Sequence, residues 1–142
     1  MKRIIAVLLL YLGLASAALA QIVITTPLQG SVASILTPSA TFTTSTSSVT
    51  LTGAANRWTY ICGFTVTSAA TATPVAVTVT VAGVPTTMNF TYTFVSTGQG
   101  ILGIAFPGCI TSSAPNTNIV VSVPGSGGTG TVGSVTAWGF VN

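Results

Sequence analysis

The chain has 142 residues and three formally charged side chains, Lys2, Arg3 and Arg57, with no Asp, Glu or His anywhere. General acid and base catalysis draws chiefly on the side chains that are missing. Two-carboxylate glycoside hydrolysis, Ser-His-Asp chemistry, acidic calcium loops and metal-assisted hydrolysis all lack their parts.

Residues 1–20, MKRIIAVLLLYLGLASAALA, begin with Lys2 and Arg3, run apolar through Leu14 and close on Ala18-Leu19-Ala20. This is the layout of a secretory signal peptide cleaved before Gln21, which leaves a mature chain of about 122 residues. The run is short for an anchor, which needs about 20 apolar residues, so no stable membrane span is expected after cleavage. Lys2 and Arg3 leave with the leader, so the precursor's pI near 9.3 does not describe the mature chain, whose one charged side chain is Arg57.

Residues 21–55 are rich in Ser and Thr and read as an N-terminal arm or as edge strands, with short strands at 22–26, 40–44 and 48–52. The compact domain is expected to start near Asn56 and run to Asn142. After the turn-like Gly53-Ala54-Ala55-Asn56 comes RWTYICGFTVT, a strand over 58–67. Strict alternation puts Tyr60, Cys62, Phe64 and Val66 on its core face, with Ile61, Thr65 and Thr67 on the other. Arg57 stands just outside it, as a solvating group or lying over the Trp58 ring or the terminal carboxylate.

Residues 74–82, PVAVTVTVA, alternate Val75, Val77, Val79 and Val81 with Thr78 and Thr80. Residues 86–94, TTMNFTYTF, alternate Met88, Phe90, Tyr92 and Phe94 with Thr87, Asn89, Thr91 and Thr93. Joined by Gly83-Val84-Pro85, they read as a hairpin. The outward Thr rows follow from β-propensity. Further strands are expected at 100–106, 117–123 and 131–141, with Phe106-Pro107-Gly108 as a turn leading to Cys109. About eight short strands bounded by turn signals predict an all-β, antiparallel, jelly-roll-like β-sandwich.

An even cysteine count in an exported chain predicts a Cys62–Cys109 disulfide stapling the 106–108 turn to the core face of the 58–67 strand. Two buried thiols are the other reading. Gly125, Gly127 and Gly130 have G-x-G-x-x-G spacing, but the following residues read as a strand, so a flexible hairpin loop is expected in place of a nucleotide site. One arginine cannot neutralise enough phosphates for nucleic-acid affinity. No catalytic residue, cofactor or metal is therefore assigned. Arg57, Trp58 and Trp138 are the candidate surface contacts.

YICGFTVT, the Thr/Val hairpin, FPGC and NTNIVVSVPGSGGTGTVGSVTAWGF together resemble small, nearly charge-free β domains of tailed-phage virions and bacterial exported proteins. The resemblance covers Asn56 to Asn142 and is most specific at Tyr60-Ile61-Cys62-Gly63-Phe64 and Trp138-Gly139-Phe140. It implies a structural or decoration role, and no catalytic motif carries over; the leader departs from a typical virion protein. A neutral surface lacks the repulsion that keeps copies apart. The expectation is thus a non-catalytic structural or interaction module, secreted, at the cell surface or virion-associated. It would act by homo-oligomerisation or by docking onto a protein array or cell surface. A secreted binder of a neutral glycan, using Trp58 or Trp138, is the alternative.

Overall fold

The computed structural model describes residues 33–69, 75–95, 99–125 and 132–142. The leader, the 22–26 strand and most of the Gly-rich loop lie outside them. The chain divides into two units, Met1–Gly30 and Ser31–Asn142, and all the described residues belong to the second.

Nine strands are present among the described residues, and no helix. They are β1 (Ser34–Leu36), β2 (Ser39–Phe42), β3 (Ser47–Leu51), β4 (Thr59–Ala69), β5 (Val75–Ala82), β6 (Met88–Phe94), β7 (Gln99–Thr111), β8 (Ile119–Val123) and β9 (Gly133–Val141). One sheet has the order β1-β9-β4-β7, with β2 also on β9, and the other β3-β8-β5-β6. All pairings are antiparallel, and they nest: β5 with β6, β4 with β7, β3 with β8, β2 with β9. A long hairpin wound onto itself gives this nesting, which is a jelly roll, as the alternation and strand count predict.

The core lies between the sheets. Val77, Val79 and Val81 of β5 and Tyr92 and Phe94 of β6 meet Phe64 and Val66 of β4, with Val121, Val135 and Leu51. The alternation on β5 and β6 holds as expected because both strands are regular and half-buried. Tyr92 keeps its hydroxyl satisfied across the sandwich, 2.7 Å from Ser68 Oγ of β4.

Three sequence expectations are corrected or extended. Residues 34–51, read as an arm or edge strands, supply edge strands β1, β2 and β3, so the compact unit begins well before Asn56. β7 does not stop at Phe106: it runs to Thr111, and Pro107-Gly108 forms a bulge within it. The faces of β4 change parity at Cys62. Ile61 pairs with Ile110 and Gly63 with Ala105, so Cys62 alone opposes Phe106 to Cys109. The same shift occurs against β9. Such a bulge leaves the extra residue unpaired and re-aims its neighbours. Thr59 and Ile61 therefore face the core with Phe64 and Val66, while Tyr60 and Cys62 are half-buried and outside it.

Candidate interaction surface

Arg57 and Trp58 are placed by main-chain hydrogen bonds. Arg57 N donates to Ala54 O at 3.1 Å, closing a turn in which Asn56 has φ 58°. Asparagine tolerates that left-handed conformation better than most residues. Asn116 N donates to Arg57 O at 2.9 Å, and Asn56 N donates to Asn116 Oδ1. Trp58 and Asn142 exchange N–H···O bonds of 2.9 and 3.0 Å, extending the β4–β9 pairing by one step. Below them, Thr59 Oγ1 donates to Thr117 O and Thr59 N to Ser112 Oγ, so the buried polar pair is satisfied. Arg57 is half-buried on this end, and Trp58 is exposed.

Cys62 and Cys109 form the expected disulfide, with Cα atoms 4.1 Å apart. It ties the bulge of β7 to the bulge of β4 within one sheet, instead of stapling a turn to the core face. Cys109 has φ 40°, a conformation uncommon for a residue with a side chain.

The change of parity builds an apolar row across the outer face of the first sheet. Ile35 of β1 stands opposite Phe140 of β9, and Phe140 opposite Tyr60 of β4. The Phe140 and Tyr60 rings stack at 4.6 Å with an interplanar angle of 11°. Ile35 is 80% exposed. In the next row Trp138 lies over Gly63, which is buried beneath its ring. A Cβ at Gly63 would fall 2.3 Å from Trp138 Cζ2, so only glycine leaves this space.

Further along the same face the pairs become hydroxyls: Ser39 with Thr136 at 2.9 Å and Thr67 with Ser134 at 2.7 Å. The outer face is thus apolar at the Trp58 end and hydroxyl-rich at the other. Arg57 is the one ionisable cation among the described side chains. No group of three or more His, Cys, Asp or Glu occurs among the described residues, and none of their segments is a helix able to cross a membrane.

Of the residues singled out from sequence, Trp58 and Trp138 lie along the same β4–β9 pair, on either side of the Tyr60–Phe140 stack. Tyr60 and Phe140 are named from sequence only within the resembling segments, with Tyr60 on the core face, and Ile35 is not a candidate contact there. Alternation in Trp138-Gly139-Phe140 carries the signal for Phe140; Tyr60 was hidden by the bulge. No protein-family model, curated protein or solved structure matches this chain.

Proposed function

We propose that the protein is a non-catalytic structural or interaction module, secreted or virion-associated, that works by self-assembly or attachment through neutral surface. The observation that carries this reading is the row Ile35, Phe140, Tyr60 with Trp138: apolar side chains gathered on one outer face with no charged group among them. Ile35 is exposed and Phe140, Tyr60 and Trp138 are half-buried, so each keeps part of its apolar surface outside the core, and contiguous apolar surface of this kind supports an interaction site. The Cys62–Cys109 bridge fits a compartment outside the reducing cytosol. Jelly rolls include viral capsid and lectin domains, which supports either half of the reading by fold-level analogy alone.

Contacts made by rings, hydroxyls and strand edges have almost no charge attraction for salt to screen. Sedimentation velocity of the secreted protein, or of its complex with a virion or cell surface, tests this. Association is expected to stay constant or strengthen from low to near-molar sodium chloride. Steep weakening would assign the interaction to Arg57 or to a charged modification. A chain that stays monomeric at high concentration and binds no surface would end the reading.

The hydroxyl pairs beside Trp138 favour one second reading, a neutral glycan held by ring stacking and hydrogen bonds. Glycan-array binding abolished by Trp138→Ala, in a chain that does not assemble, would establish it instead.

A further inference from the structure

The two open sides of the sandwich are finished differently. On one, the outermost strands β1, β2 and β3 have three, four and five residues. On the other run β6 with seven and β7 with thirteen. Pro107 and the disulfide-tied bulge interrupt β7, and both features discourage edge pairing. β6 has no such protection. It contains no charge, proline or glycine, and its register against β5 is unbroken from Val75↔Phe94 to Val81↔Met88. Among the described residues its outer edge has no strand partner. Behind that edge the core is incompletely covered: Met88, Phe90, Leu102, Ile104 and Phe106 are half-buried, and the Phe90 and Phe106 rings lie 6.4 Å apart across the gap between the sheets.

We infer that β6 is the self-association edge, pairing antiparallel with β6 of a second copy about a twofold axis at Thr91. The inference rests on the assembly reading above and assigns self-association to this edge, leaving the outer row of Ile35, Phe140, Tyr60 and Trp138 for attachment. A twofold contact demands that a surface complement itself. The pattern of β6 reads the same from either end about Thr91: Met88, Phe90, Tyr92 and Phe94 face inward, while Asn89, Thr91 and Thr93 are exposed outward. The symmetric register that pairs all seven residues sets Thr91 against its own copy, Asn89 against Thr93 and Phe90 against Tyr92. A slip by one residue would place apolar side chains opposite hydroxyls and turn one copy inside out. Charge agrees with the same occupant. No like charges meet across the axis, and a charged partner would find no counter-charge in the strand. The twofold also brings the Met88, Phe90 and Phe106 rims of both copies together, covering apolar surface that each leaves half exposed.

The test uses the secreted chain with substitutions at outward positions. Cys62 and Cys109 bridge each other, so Thr91→Cys adds a lone thiol. Directly opposed Cβ atoms lie about 4.5–5.5 Å apart, so oxidation should give a covalent dimer. Thr78→Cys, one strand further in, should not. Asn89→Lys with Thr93→Lys should raise the dissociation constant about tenfold or more by setting like charges opposite one another. Asn89→Lys with Thr93→Glu, which matches opposite charges in that register, should restore the parental value. Circular dichroism confirms that each variant remains folded. A parent that associates while Thr91→Cys fails to cross-link and the Lys/Lys variant associates normally would overturn this interface and leave the assembly reading standing. A parent that is monomeric by sedimentation equilibrium and binds no surface would remove both.

Discussion

At Gly63 an added methyl group would stand 2.3 Å from Trp138 Cζ2 and 2.4 Å from Ile104 O. The indole can swing away, but the carbonyl belongs to the β4–β7 ladder and cannot. Gly63→Ala is therefore expected to cost about 1–3 kcal/mol, as overpacking does, and to expose Trp138. Urea denaturation measures the first effect. A red shift of tryptophan emission in a Trp58→Phe background measures the second. The disulfide acts at the same place, since Cys62 opposes the whole Phe106–Cys109 segment and little else fixes that segment to β4. Replacing both cysteines by serine should lower stability by about 2–4 kcal/mol, the typical contribution of a disulfide, read as a shift of the urea midpoint with unchanged far-ultraviolet circular dichroism. Cys62 and Cys109 are legible as partners from their even count and the expected export. Their position at paired bulges was not, because a bulge depends on the partner strand.

The strands show which local rules survive folding. β5 and β6 match their alternation because neither contains an irregularity, and Val77 faces the core at 8% exposure. Val77→Asp would bury a carboxylate where Arg57 is the sole described cationic side chain, so a loss of about 3–5 kcal/mol or outright unfolding is expected. A Val77→Asp protein with the parental urea midpoint would contradict the packing. β4 departs from its alternation at one residue: Tyr60 leaves the core, Ile61 enters it, and the outer aromatic row appears. β7 departs because a Pro-Gly pair, usually a turn signal, is held within a strand by the pairing of Ile110 and Thr111 with β4 and by the Cys62–Cys109 bridge. β1 carried no strand signal in its three residues; β9 supplies the partner that makes Ser34–Leu36 extended.

For the molecule as a whole, the absence of Asp, Glu and His removes the side chains that drive acid unfolding. Stability between about pH 5 and 8 should change by less than about 1 kcal/mol, because among side chains nothing with an ordinary pKa in that window is present. Thermal unfolding at several pH values checks this; a steep decline toward pH 5 would contradict it. The sequence alone determined the all-β class, the sandwich, the inward faces of regular strands and the near-absence of charge. Each of these follows from composition or from a period of two, which are local properties of the chain. Only the tertiary structure decided which strands pair with which, the change of face at Cys62, the gathering of Ile35, Phe140, Tyr60 and Trp138, and the edge at β6 left open among the described residues. Those features depend on which strands become neighbours and in what register, and residues far apart in sequence set both.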